Sequence, residues 1–449
     1  MSILKDKIIL LACCLLIGFS LMAQSSAIRP KINSPYSRFG LGNLLDQHFA
    51  MAGGMGGLGQ TMVDPYHFNH VNPASLGFLV NTVFEVGTHV QWNEMREGDQ
   101  LENYWSGNLN YMGLAMPLKN SINRTLDKDD SPWAFGMAFS LMPYSEVGYY
   151  METTETHPVA GDVNNVLKGT GGTYKFRWGN AVRYKSLALG ANLGYHFGKL
   201  TYNRRLVLQD LTARYDSELQ DEFSINGFNL ELGGQYALLF KKKTGSGTRE
   251  ASGKRLLVGV TYSNSYDINT NSSLFYFRDN FAYIDQDTVS FQKEISGEGV
   301  MPGTFGAGLS FETANKLKIG VEYTATRWTD YRNMAKPESL ADASRMAFGL
   351  EYIPDYQSYN NYLKRVRYRF GGFLRTDPRT VDGDALQHYG LTLGFGLPVV
   401  LPRQQLSFIN FAVEAGQFGL EDVLQENYVK IQVGFTLNDN TWFFKRKFN

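Results

Sequence analysis

The residues with most chemical potential are Arg367 and Arg369, two positions apart in an alternating segment that sets both on one face. Arginine forks suit a carboxylate head group. The same parity gathers Glu85, His89, Lys175, Arg177, Arg183, Glu231, Lys318, Glu322, Glu351, Glu414 and Lys430 on one side of neighbouring segments. Both signs occur, and charges withdrawn from water pair or stay wet. Arg367, Arg369, Lys318, Glu322, Glu351 and Arg177 are therefore candidates for a salt-bridge lattice or for a ligand's polar head, and the lattice is the simpler reading. His67 and His70 stand three apart with Asp64 nearby. That spacing is open to a metal, but turn packing or capping is the simpler role, and neither a metal nor a cofactor is expected. Gly54, Gly56 and Gly59 match GxGxxG formally. No strand precedes them and no acidic partner follows at the dinucleotide spacing, so nucleotide binding is not expected. There is no GxSxG, no HExxH and no cysteine pair outside the N-terminus, so an enzyme is not expected either.

The elements carrying these side chains have a period of two. Leu187, Leu189, Ala191, Leu193, Tyr195 and Phe197 alternate with Ala188, Gly190, Asn192, Gly194, His196 and Gly198, and the segments from Leu317, Tyr389 and Val429 behave alike. Successive strand side chains point to opposite faces, so each segment has one greasy face and one polar or small face. The composition agrees: 46 glycines, 14% aromatic and only 19% charged residues among 449. Charge balance at 43 basic and 43 acidic residues argues against nucleic acid as a partner. Lys5 and Lys7 precede an apolar stretch from Ile8 to Ala23, which reads as a secretory signal peptide over 1–23, cleaved on export. Cys13 and Cys14 leave with it, so the mature chain is expected to hold itself together without disulfides.

About fourteen such segments follow, near 82–92, 106–117, 132–150, 172–184, 187–203, 223–240, 255–270, 303–313, 317–331, 344–353, 366–375, 386–398, 405–416 and 428–437. Each is long enough to cross a bilayer, for which about 9–11 tilted residues suffice. The expected fold is all-β, a transmembrane antiparallel β-barrel of about 14 strands over 80–437, with a C-terminal tail over 438–449. Links after odd segments, such as 93–105, 151–171, 204–222 and 271–302, read as long outer loops; 118–131, 241–254 and 354–365 are long for inner turns. Trp92, Trp105, Tyr149, Tyr150, Trp328 and Tyr331 fall near outer ends, where aromatic rings favour the headgroup layer. The segment from Trp442 to Phe448 reads as an interfacial anchor or an assembly signal, or else as a disordered basic tail.

From Ser34 to Leu79 the alternation is absent. Gly53, Gly54, Gly56, Gly57 and Gly59 permit close backbone approach, and Met51, Met55 and Met62 suit irregular gaps. The Gly/Ala-rich stretch, then Asp64, then Asn72-Pro73-Ala74 before the first strand resembles the long-chain fatty-acid transporter (FadL-like) family of outer-membrane barrels. Pro35-Tyr36-Ser37-Arg38-Phe39-Gly40 and the Lys-Arg-Lys ending resemble a Bacteroidota branch that includes PorV-like proteins. The resemblance implies an N-terminal hatch over 24–79, a location in the bacterial outer membrane in contact with its lipid, and passive uptake of a hydrophobic or amphipathic small molecule. The alternative is a non-transporting barrel that docks protein partners in a secretion or barrel-assembly machine. A continuous apolar cleft would favour the first; a lumen filled by paired charges, with an apolar patch on loops or outer wall, would favour the second.

Overall fold

A computed structural model of the chain describes residues 33–159, 161–209, 215–243, 249–280, 286–402 and 405–442. The expected signal peptide, residues 24–32 and the tail beyond 442 lie outside the described residues.

All the alternating segments become strands of one antiparallel sheet. After the two-residue β1 (Asn43–Leu44) come β2 (Thr82–Glu97), β3 (Gln100–Pro117), β4 (Trp133–His157) and β5 (Gly161–Tyr184). Then follow β6 (Leu187–Leu208), β7 (Tyr215–Lys243), β8 (Arg249–Ser263), β9 (Tyr266–Asn280) and β10 (Gln286–Met301). The rest are β11 (Thr304–Thr313), β12 (Leu317–Thr326), β13 (Arg332–Asn333) and β14 (Ala343–Tyr352). The last four are β15 (Arg367–Val381), β16 (Asp384–Leu401), β17 (Gln405–Leu420) and β18 (Leu424–Asp439). β8 pairs directly with β11, and β18 returns to β2 from Gln425↔Arg96 to Asp439↔Thr82. With β1, β9, β10 and β13 set aside, fourteen strands close into a ring. Closure removes the sheet edges, whose unpaired backbone groups lipid cannot satisfy.

The sidedness follows the parity. On β6, Leu187, Leu189 and Leu193 are about half exposed, while Ala188, Asn192 and His196 are buried. β12 repeats this, with Ile319, Val321 and Tyr323 outward and Lys318 and Glu322 inward. Among the inner connections expected to be long, 118–131 contains the helical turn Ser121–Leu126, and 354–365 ends in the 3-10 turn Tyr362–Arg365.

Three expectations need correction. Stretches 93–105, 151–171 and 204–222 are largely strand, because β2 through β7 run well past bilayer length. Likewise 271–302 is mostly the β9–β10 hairpin, which joins the upper part of β7 through Asn226↔Asn269 to Tyr215↔Asn280. These extensions were invisible to alternation because neither face meets hydrocarbon there: residues 215–222, YDSELQDE, have no consistent greasy parity. Finally, Tyr149, Trp328 and Tyr331 do not lie in a lipid belt. They are buried with Leu41, Val147, Leu200, Phe223, Ile225, Tyr266, Ile268 and Met301 in a core above the lumen. The belt includes Tyr174, Tyr195, Phe197 and Phe228, whose neighbouring ring centroids lie 4.9–6.0 Å apart. Trp105 and Tyr150 remain exposed, and Trp92 sits opposite Trp105 across the β2–β3 ladder.

Candidate functional site: the filled lumen

The N-terminal segment lies against the inward parity of the wall, and backbone closeness sets its path. Asn72 is fully buried; its side-chain Oδ1 accepts from the Ala74 N–H at 3.1 Å, and its side-chain Nδ2 donates to the Gln60 carbonyl at 2.8 Å. It thus caps the 3-10 turn Pro73–Phe78, with proline at the first position, where its missing N–H costs nothing. The turn rests on wall glycines: a Cβ at Gly190 of β6 would come within 2.5 Å of the Pro73 carbonyl carbon. At Gly233 of β7 a Cβ would come within 2.7 Å of the Pro73 ring. Ala74 packs with Val63, Phe78, Ala188, Ala237 and Leu257. The Asn72-Pro73-Ala74 motif is therefore a peg seated in wall glycines.

The glycine cluster makes a second close contact. Gly54 lies against Gly394 of β16, where a Cβ would stand 2.7 Å from the Gly54 Cα. Gly56 has a φ of +65° and sits between Phe348 and Gly372, so a side chain is excluded by backbone and space together. Its N–H donates to the Thr392 hydroxyl at 2.8 Å. Gly53 faces Gln432, Gly57 faces His48 and Arg345, and Gly59 packs on Val71. Met51, Met55 and Met62 fill the space toward Ala347 and Phe373.

The charged residues lock the same segment from the wall. Arg367 pairs with Asp64 at 2.5 Å, and Arg369 pairs with Glu351 at 2.7 Å while also reaching Asn410. Lys318 pairs with Glu312 at 2.7 Å and donates to the Val63 carbonyl at 3.0 Å. Glu322 accepts three successive backbone N–H bonds, from Gly59 at 2.7 Å, Gln60 at 2.6 Å and Thr61 at 3.2 Å. Arg177 pairs with Glu231 at 3.1 Å and donates to Gln47. All six candidate lumen residues therefore engage the segment or a wall partner.

Sequence reasoning missed Asp46, which is bridged by Lys430 at 2.8 Å and Arg375 at 3.3 Å, while Lys430 also holds Glu414 at 2.9 Å. Asp46 lies off any strand, so parity could not assign it. Asp46, His48 and Glu414 are close enough to hold a metal ion. Lys430 already bridges the two carboxylates, so an ion would have to displace its ammonium group. His67 is tied to the wall: its Nδ1 meets the buried Glu85 carboxylate at 3.0 Å. Burial pushes the Asp64 carboxyl up, but Arg367, with His67 and Lys318, outweighs it and holds Asp64 well below the usual range. Burial lowers His48 to about 4, aided by Arg345 and Lys430 against the pull of Asp46, so its ring is neutral at pH 7.

The remaining space is divided. Toward the outer loops lie cavities of about 280 Å³, lined by Tyr144, Lys175, Tyr266 and Trp328, and about 100 Å³, lined by His89, Tyr104 and Lys430. Toward the inner turns lies one of about 420 Å³, lined by Asp64, Arg255, Asn315 and Arg367. The loop-side and turn-side cavities share no lining residue. One seam of the wall is short: β3 and β4 pair only from Met112↔Leu141 to Pro117↔Gly136. Above it the N-terminal segment runs along the edge of β4, through Leu45 N–H to the Tyr144 carbonyl, Asn43↔Glu146 and Ser34 N–H to the Gly148 carbonyl.

The closed ring of strands is similar in fold to solved structures of hydrocarbon channels and transporters. The chain is similar to a Pseudomonas aeruginosa FadL homologue, at 12% identity and a TM-score of 0.52, covering 87% of this chain and 99% of that one. It is similar to the Ralstonia pickettii toluene transporter TbuX, at 15% identity and a TM-score of 0.51, covering 88% and 99%. The Pseudomonas putida toluene transporter TodX gives 15% identity and 0.51, covering 88% and 98%. At such identities the likeness is one of fold: an outer-membrane β-barrel of the FadL type. No curated protein matches the sequence. A family model described as BamG matches residues 5–449, nearly the whole length, and the chain therefore belongs to the BamG family.

Proposed function

We propose that this protein is a closed outer-membrane barrel that works through its outer surfaces, as a partner-docking subunit of a secretion or barrel-assembly machine, with residues 24–79 as its hatch. The observation carrying this reading is the filling of the lumen by paired charges. Glu322 holds three consecutive backbone N–H groups, and Arg367 holds Asp64. A conduit has to release its plug at modest cost, whereas breaking a buried pair costs about 3–5 kcal/mol. The lumen offers no continuous apolar cleft among the described residues.

A second reading is passive uptake of a hydrophobic or amphipathic small molecule, which the shared fold supports. In its favour, the half-apolar loop-side cavity of about 280 Å³ could hold a small cargo. The short β3–β4 ladder would provide an opening in the wall. Gentle detergent purification from native membranes separates the two readings. Docking predicts proteins co-purifying in whole-number ratio with the barrel. A bound hydrophobic compound with no protein partner would establish uptake instead.

A further inference from the structure

We propose that the outward face of the sheet above the lipid belt, centred on Phe275, Phe277 and Phe291, docks a protein that presents an apolar spot ringed by lysines or arginines. This inference rests on the docking reading and names a surface for it. The outward parity of β6 turns polar after Phe197, with Lys199, Thr201, Asn203 and Arg205, and that of β7 turns polar beyond Phe228, with Asn226, Ser224, Glu222 and Gln220. Lipid contact therefore ends near the Tyr195–Phe228 rings. On β9 the outward side begins equally polar, with Asn269, Asn271 and Ser273, and then becomes aromatic. Phe275 stacks on Phe277 at 5.8 Å and on Phe291 of β10 at 4.8 Å, and Phe291 is 51% exposed.

Phe275 lies opposite Gln220, about eight residues beyond Phe228. At about 3.3 Å per residue and a tilt near 40°, that is about 20 Å above the belt. Hydrocarbon cannot cover aromatics at that height. Their surroundings are acidic: Glu218, Glu222 and Asp279 share the face, with Asp216 buried beside them. Lys199 pairs with Glu222 at 2.6 Å, and Arg205 spans Asp216 and Asp279 at 3.2 and 3.7 Å, which leaves a carboxylate excess. Such a rim repels phosphate-bearing lipid head groups and attracts a basic protein surface. Residues 287–296 of β10 are all exposed, yet this edge is blunted against strand addition. Its register breaks between Thr288 and Ser290 and between Gln292 and Ile295, with Glu294 at a φ of +58°. The face, and not the edge, is left to bind.

The test places a photo-crosslinking phenylalanine analogue at position 291 in the full-length protein in native membranes, with position 391 as the lipid-facing control. The expected result is one protein adduct from 291 and none from 391, with the linked peptide carrying apolar residues flanked by Lys or Arg. Glu218→Lys with Glu222→Lys should cut the adduct about fivefold, as charge complementarity requires. Adducts to lipopolysaccharide alone, no adduct, or indifference to charge reversal would overturn the proposal. The fold is checked by unchanged heat-modifiable migration. If Phe275→Asn with Phe291→Asn leaves co-purifying partners undiminished, this face is wrong while docking stands. If the wild-type protein never co-purifies a partner, docking itself falls.

Discussion

Glu322 shows how one side chain can hold a stretch of irregular chain. Its carboxylate collects the N–H groups of Gly59, Gln60 and Thr61, which no local secondary structure satisfies. Glu322→Gln removes the charge and half the acceptor capacity, leaving at least one buried N–H without a partner at about 1–3 kcal/mol. Limited proteolysis of residues 45–65 in detergent should then begin at lower urea than in the wild type. Arg367→Ala strands Asp64 and should cost about 3–5 kcal/mol, whereas Arg367→Met with Asp64→Asn should restore most of that; equilibrium unfolding of the three proteins checks the cycle. Acid should loosen the same region. His48 is depressed from 6.5 to about 4, so the unfolded chain binds more protons between those values, and stability falls as pH drops through that window. Asp46 and Asp64 are held low by their cationic partners, so their contribution is present above about 4 and is lost at lower pH. Hydrogen-exchange protection of residues 45–65, taken relative to the intrinsic base-catalysed rate at each pH, should fall from pH 7 to pH 4, and flat protection would count against the buried neutral ring.

At the scale of elements, the strands divide into a lipid-facing lower part and a solvent-facing upper part, and side-chain chemistry changes at the boundary. Arginine in place of Leu193, which faces outward near midplane, should cost about 2–4 kcal/mol, while Thr201→Arg, outward but above Phe197, should change stability by less than about 0.5 kcal/mol. Comparable penalties at both sites would move the boundary or remove it. The inward parity is equally unforgiving for a different reason. Glu322 and Gln432 point inward yet touch the N-terminal segment, so arginine there meets packed chain and not water. Substitution there is therefore expected to be costly, as the paired lattice requires.

For the whole molecule, the question is whether the ring conducts. With 34–79 in place the loop-side and turn-side spaces are separate. Deleting 34–79 should turn a silent barrel into one that leaks small solutes from liposomes. If the deletion leaks no more than the wild type, residues outside that segment close the lumen. The upper wall, six strands wide from β4 to β7 with β9 and β10, gives the molecule a large surface outside the membrane. That is where a barrel closed in the middle can still meet other proteins.

Alternation by itself determined the fourteen barrel strands, their in-and-out sidedness, and the inward placement of Arg367, Arg369, Lys318, Glu322, Glu351 and Arg177, because a bilayer enforces a two-residue hydrophobic period wherever it touches the wall. The glycine cluster was visible as residues built for close approach, and Asn72-Pro73-Ala74 only as a family resemblance. Only the tertiary structure decided what they approach: Gly190, Gly233 and Gly394, wall positions whose lack of a Cβ is needed for contact with the N-terminal segment. It also decided that some inward charges are taken by the N-terminal segment, hundreds of residues away, as Arg367 is by Asp64, while others such as Arg369 and Glu351 pair within the wall. The β9–β10 hairpin, and the use of Trp328 and Tyr331 as core, lay beyond sequence because they stand above the lipid, where no solvent boundary imprints a period on the chain.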